Sequence, residues 1–307
     1  MKILVTGANG MLGKDLITEL GNEFDVYGFM RGRDPRPRFY QCDITNRNST
    51  IKGIERVNPQ VVIHAAAMTD VDACENDRQS ATRVNFEGTK NVVDGCRHVK
   101  AMCIYISTDF VFNGEQRDPY RETQLPHPIN VYGESKLLGE FYVRDQSLRY
   151  LILRTSWLFG KNGRNFMSKI LERAQESSEL YVVNDQKGSP TYTKDLANGI
   201  HSILKYIREN GPSEKSTLNA IYHVSNRGVA TRFEVARELL KQAHLEQVKI
   251  NPMESLELKN IVKRPQNSAL DNSRFEKTFG ISLRPWQEAI SDYLKEIPLK
   301  GEVSHQK

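Results

Sequence analysis

Apolar and polar positions alternate in blocks along the first half of the chain. Short runs rich in β-branched residues are each followed by a polar turn and then a stretch with helical spacing. Met1–Thr6, Asp25–Met30, Phe39–Ile44, Gln60–Ala67, Ala101–Ile106 and Tyr150–Arg154 read as strands. Several lack the in–out alternation of a half-exposed sheet, as strands buried on both faces do. Lys14–Leu20, Asn46–Val57 and Ala81–Val99 carry apolar residues at helical intervals. Strand–helix alternation predicts an α/β chain with a doubly wound parallel sheet and right-handed crossovers. Beyond residue 156 the order becomes mixed, with short strands at Tyr181–Val183 and Ile221–Val224. The pattern predicts a first domain over 1–155 with a return segment at about 181–225. A smaller mixed α/β lobe follows from 156–180 and 226–298, and 299–307 reads as a flexible polar tail.

The first strand runs into Gly7-Ala8-Asn9-Gly10-Met11-Leu12-Gly13 and then into a helix. Glycines there permit a tight turn and close approach of backbone to a pyrophosphate, with the helix N-terminus offering free N–H groups. Gly7, Asn9, Gly10, Met11, Leu12 and Gly13 are therefore candidate cofactor-binding residues, and the first domain reads as a Rossmann-type dinucleotide-binding domain. After the second strand, where an NAD enzyme places a ribose-binding acid, the chain has Arg31-Gly32-Arg33. Guanidinium groups at Arg31 and Arg33 suit a 2′-phosphate, so NADPH is favoured, with NADH still usable. A solvated basic loop is the plainer reading. Asp43, with Ile44 beside it, stands where an adenine amino group would be met, or else caps the next helix. The small residues Ala65, Ala66 and Ala67 end the fourth strand and leave room for a flat ligand. His64 within that run reads as a satisfied core histidine, and Asn85 joins the cofactor candidates near the start of its helix.

Charge and composition narrow the classes. The 307 residues carry a mild net charge of +5 with no lysine or arginine run, which argues against nucleic acid as a partner. No apolar run reaches membrane-spanning length and no signal peptide precedes the first strand, so no membrane partner is expected. Cys42, Cys74, Cys96 and Cys103 lack paired CxxC spacing and read as reduced thiols in a cytoplasmic protein.

Chemistry enters with Ser107-Thr108-Asp109 and Tyr132-Gly133-Glu134-Ser135-Lys136. On a helix, Tyr132 and Lys136 share one face. An ammonium beside a phenol favours the phenolate and lowers its pKa from about 10. Tyr132 thereby becomes a candidate proton donor, while hydroxyls at Ser107 and Thr108 suit a carbonyl. Those parts fit ketone reduction.

Thr6-Gly7-x-x-Gly10-x-x-Gly13 with Tyr132-x-x-x-Lys136 resembles the extended short-chain dehydrogenase/reductase superfamily. Longer strings are similar to one family within it, the dTDP-4-dehydrorhamnose reductases. They include His64–Asp72, Ser107–Gly114, Arg154–Gly160, Asn165-Phe166, Asp185–Thr191 and Arg264–Asp271, and the likeness spans roughly residues 1 to 290. The resemblance implies hydride transfer from a nicotinamide to C4 of a 4-keto-6-deoxy sugar on a nucleoside diphosphate, dTDP-L-rhamnose being the type product. It implies that Tyr132 protonates the C4 oxygen, Lys136 holds the nicotinamide ribose, Thr108 polarises the ketone, and Ala65 and Ala66 line the nicotinamide side; Ser107 is a further cofactor candidate. It places Thr108, Asp109 and Tyr132 at the substrate, Trp157 against the sugar, and Asn165 and Arg264 at its nucleotide and diphosphate end, and it leaves room for a homodimer.

Plainer readings stand beside these. Trp157 suits a core, Arg264 a surface ion pair, and Asn165, Asp70 and Asp72 helix caps. Glu140 reads as a helix-face partner of Lys136. Phe110 stands where the family string usually has tyrosine. Some relatives bind a divalent ion through acids at a subunit contact, and Asp15 is suitably placed. Lys194 occupies a neighbouring position where an acid would be expected, so no metal is expected. Two other functions share the fold: a regulatory subunit resembling the methionine adenosyltransferase β subunit, and an NDP-sugar epimerase or dehydratase.

Overall fold

The computed structural model describes residues 1–210, 218–257 and 262–298, so the expected tail over 299–307 lies outside the described residues. Its centre is a seven-stranded parallel sheet. In chain order its strands are β1 (Lys2–Thr6), β2 (Asp25–Met30), β3 (Phe39–Gln41), β4 (Val61–His64), β5 (Met102–Thr108) and β6 (Tyr150–Thr155), with Ala220–His223 last. In space the last strand lies outermost, followed by β6, β5, β4, β1, β2 and β3. The order reverses between β1 and β4, where open α/β sheets take ligands at the strands' carboxyl ends. The doubly wound sheet is thus as the alternating pattern predicts.

Burial on both faces explains the unbroken apolar runs. Ile3 and Val5 point into a layer with Leu12 and Leu16 of helix α1 (Met11–Leu20) and Leu196 and Ile200 of the helix Thr193–Asn210. Leu4 and Val62 point the other way, against Ile54, Val92 and Val143 of the opposite helical layer. The fourth strand ends at His64 rather than Ala67, because the chain leaves the sheet there to pass beside Gly7. The helix expected over Ala81–Val99 is interrupted by a π-helical turn at Arg83–Glu87 before continuing as Gly88–His98.

A second core lies beyond the carboxyl edge, built from the helices Phe166–Glu176, Arg232–Gln242 and Trp286–Lys295. Leu180 and Val182 belong to it, since the strand Glu179–Val183 pairs with Lys249–Met253 and not with the central sheet. The return segment expected from 181 therefore begins near the helix Thr193–Asn210. Phe275 and Phe279, expected in the second lobe, fill the first core. Among the described residues no helix is long and apolar enough to cross a membrane.

Candidate active site

Two adjoining cavities follow the carboxyl edge of the sheet and share Gly7, Gly10, Ala65 and Ala67 in their walls. The first, about 370 Å³, is lined by Asn9, Arg31, Asp43, Ile44 and Ala66 together with Arg83 and Ser80. Near the glycine turn the wall is made by Gly7, Gly10 and Ala65–Ala67. Gly7 adopts φ +69°, a left-handed value that glycine takes without strain, and a Cβ there would come 2.9 Å from Ala66. A Cβ on Gly13 would overlap the Gly7 carbonyl oxygen. Helix α1 then starts at Met11 with no side-chain cap, so its first N–H groups face the turn.

Two cofactor candidates stand elsewhere. Arg33 is exposed and lines neither cavity. Asn85 is buried; its amide donates to Met68 O and Ser135 Oγ and accepts from Met68 N–H, so it braces the wall from behind. Asp43 accepts from the Thr45 N–H and hydroxyl, and the following helix is capped by Asn46 instead. His64 is fully buried between the Thr6 and Thr89 hydroxyls, as a core histidine would be.

The second cavity, about 410 Å³, brings together Met11, Leu12, Gly13, Ser107, Thr108, Asp109, Tyr132, Lys136, Trp157, Asn165 and Arg264. Tyr132 and Lys136 lie on the helix Val131–Gln146, whose N-terminus is capped by Asn130 accepting from Gly133 N–H at 2.9 Å. The Thr108 hydroxyl, at the end of β5, donates to Asp109 Oδ1 at 3.1 Å, and Asp109 Oδ2 accepts from Ser156. Ser107 donates to Glu140.

Burial sets the charges here, and it corrects the expected electrostatics. Desolvation holds the Tyr132 phenol above its ordinary value of 10, with the neighbouring Thr108 hydroxyl pulling the other way. The Lys136 ammonium does not acidify it. That amine donates to Ile106 O at 2.7 Å and lies 4.0 Å over the Tyr105 ring, and burial draws its pKa down to about 7. Tyr132 is thus a neutral acid poised in the cleft. The expected Lys136–Glu140 face pair is also absent. Glu140, 1% exposed, instead takes a bidentate grip from Arg154 at 2.9 and 2.7 Å. Its negative charge still favours the Lys136 cation from a distance.

Of the second-cavity residues expected to meet a sugar nucleotide, several are committed to protein partners. Asn165 caps the helix Phe166–Glu176 through its amide oxygen and donates to Gly160 O and Gly163 O. Arg264 Nη2 lies 2.8 Å from both oxygens of Asp72. Asp70 caps the helix Val71–Asn76. Trp157 sits at φ +46°, a left-handed value costly for a bulky residue, and one face of its indole is covered by Arg232.

A family model described as the RmlD substrate binding domain matches residues 1–298. The chain is 34% identical to the dTDP-4-dehydrorhamnose reductase of Aggregatibacter actinomycetemcomitans, over 95% of this chain and 97% of that one. It is 35% identical to the spore coat polysaccharide biosynthesis protein SpsK of Bacillus subtilis, over 96% and 97%. The chain belongs to the dTDP-4-dehydrorhamnose reductase family. A crystal structure of the Bacillus anthracis dTDP-4-dehydrorhamnose reductase in complex with NADP superposes with a TM-score of 0.86, at 35% identity, covering 96% of this chain and 99% of that one.

For a member of this reductase family, the cleft also contains side chains that motif reading misses. Arg232 and Arg164 line the second cavity and Arg83 the first. Arg232 opens a helix behind the capping box of Thr231 and Glu234, a signal that announces a helix start and nothing about a ligand. At the place considered for a divalent ion, Lys194 pairs with Glu296 at 2.9 Å and Asp15 accepts from Thr193 and Asn162. Among the described residues no cluster of three metal-ligating side chains forms.

Proposed function

We propose that the chain is an NADPH-dependent reductase of the C4 ketone in a nucleotide-linked 4-keto-6-deoxy sugar, converting dTDP-4-dehydro-L-rhamnose to dTDP-L-rhamnose. The reading is carried by one observation: Thr108, Tyr132 and Lys136 line a single cavity with the glycine turn. Family membership gives it the sugar-nucleotide class.

The backbone cradle at Gly7, Gly10 and Gly13, which Cβ atoms would fill, fits a dinucleotide pyrophosphate. Arg31 at the adenosine end supplies a cation for a 2′-phosphate. When bound, NADPH supplies the hydride. The chain's own residues manage the proton and the geometry. Turned from Asp109 Oδ1, the Thr108 hydroxyl would donate its one proton to the ketone oxygen and polarise it. The neutral Tyr132 phenol then delivers its proton to the developing C4 alkoxide. Because burial raises the phenol's pKa, the proton stays in place until the alkoxide, a much stronger base, forms. Lys136, whose amine donates to the Ile106 carbonyl, would hold the nicotinamide ribose hydroxyls. The Glu140–Arg154 pair fixes Ser107 beside them.

The test is loss of reduced-nicotinamide absorbance on mixing the chain, NADPH and dTDP-4-keto-L-rhamnose made in situ, with mass spectrometry of the product. Two mass units gained in the sugar supports the reading. Folded protein that leaves NADPH unconsumed at saturating substrate argues for the regulatory alternative.

A further inference from the structure

Three arginines, Arg164, Arg232 and Arg264, line the cavity that Tyr132 and Lys136 also face. Two are already occupied. Arg264 holds Asp72 at 2.8 Å, and Arg164 pairs with Glu172 at 3.1 Å. Arg232 is different: among the described residues no oxygen accepts from its guanidinium, and only its backbone N–H is engaged, by Gln186 O. The guanidinium carbon lies 3.5 Å from the Trp157 ring centre and 4.9 Å from that of Phe166. Stacking satisfies the faces of the cation, but its five N–H donors lie in its plane and stay unspent. Burial pulls its pKa down to about 9, with Asp109 favouring the cation and Arg264 opposing it. The side chain is half-buried rather than enclosed, so these free donors open onto the cavity, where an oxyanion would give them charge-assisted partners.

The geometry points to Arg232 as a substrate-anchoring residue whose guanidinium takes an oxyanion of the nucleotide's diphosphate, while Arg264 stays with Asp72. This rests on the reductase reading for the ligand's identity. A 4-keto-6-deoxy sugar has no ionised group, so the diphosphate is the only anion such a substrate brings. The rigid fork of a guanidinium matches two phosphate oxygens, and its platform on Trp157 fixes the direction of the fork. Trp157 acts accordingly as the seat of Arg232, with the face it gives to the cation closed to the sugar.

The test is calorimetric titration of dTDP into the full chain with its dinucleotide cleft saturated by NADP⁺, for the wild type, Arg232→Gln and Arg232→Lys. The Gln variant should weaken dTDP at least tenfold and flatten the KCl dependence of binding, with NADP⁺ affinity within twofold of wild type. The Lys variant, a point charge without a fork, should fall between. Binding of dTDP unchanged within twofold, an undiminished salt dependence, or no dTDP binding by the wild type overturns the proposal. Should the Gln variant not fold, the Lys variant decides: dTDP at least threefold weaker supports the anchor, and unchanged affinity overturns it. Turnover is scored separately. Arg232-dependent dTDP binding without NADPH consumption contradicts the reductase reading and leaves the anchor standing, whereas normal turnover with Arg232-independent binding contradicts the anchor alone.

Discussion

Around the glycine turn the wall is backbone and small residues, Gly7, Gly10 and Gly13 with Ala65–Ala67 and the open start of α1, while Arg31, Asp43 and Arg83 line the far part of the first cavity. At the sugar end it is long side chains held by one another, with Arg232 on Trp157, Arg264 on Asp72, and Glu140 between Ser107 and Arg154. A backbone wall recognises what every dinucleotide shares and tolerates no added atom. A side-chain wall sets charge and shape residue by residue, and it depends on buried polar partners that have no substitute. The two ends should therefore fail in different ways.

On cofactor binding, the largest effect is expected at the glycine turn. Gly13→Val places two methyl groups where even a Cβ overlaps the Gly7 carbonyl, and NADPH affinity should fall by roughly a hundredfold or more as the turn is forced apart. Fluorescence titration of NADPH checks this, and an affinity within threefold of wild type would mean the turn is not the cradle.

Removing a buried partner tests the side-chain end. Glu140→Ala leaves the Arg154 guanidinium, 2% exposed, without its counter-charge and should cost about 3–5 kcal/mol in urea unfolding. A loss under ~1 kcal/mol would show that the pair is not the keystone of that wall.

Acid should act on both regions through two buried histidines. His64 behind the turn and His223 beside Arg154 are each held by burial at about 3, against an ordinary value near 6.5. The unfolded chain therefore binds protons that the folded chain refuses. Stability is present above pH 6.5 and is lost as pH falls toward 3, at up to about 1.4 kcal/mol per pH unit for each histidine. Asp109 and Glu122, whose carboxyls burial raises, oppose the loss near the acid end. Urea midpoints at pH 7 and 5 separate the histidines from the carboxylates. Equal stability at the two pH values would contradict buried neutral imidazoles.

The smallest effect concerns cofactor choice. Arg31→Ala removes one exposed cation from the first cavity and should weaken NADPH by about tenfold while leaving NADH within twofold. An equal change in both dissociation constants would remove Arg31 from 2′-phosphate recognition.

The same contrast separates what was legible in the sequence from what was not. The backbone end follows from local rules. Buried strands read as unbroken apolar runs, and glycine spacing marks a turn that side chains would block, so β1, the turn and α1 stand where the pattern puts them. The side-chain end depends on partners far apart in the chain. Spacing of four pairs Glu140 with Lys136, but burial against β6 gives Glu140 to Arg154, and the Ile106 carbonyl takes the lysine. The same burial reverses the expected acidification of Tyr132. Asn165 reads equally as ligand or cap until the fold puts the Gly160 and Gly163 carbonyls at its amide. Nothing local marks Arg232, because its meaning comes from a tryptophan 75 positions earlier that the fold brings beneath it.

The most direct measurement is steady-state turnover of Tyr132→Phe alongside NADPH affinity measured on the same protein. The kcat should fall by about a hundredfold to ten-thousandfold with NADPH affinity within twofold, because the missing hydroxyl acts on the ketone oxygen in the transition state. Undiminished kcat, or a parallel loss of NADPH binding, would contradict the placement of that phenol as the proton donor.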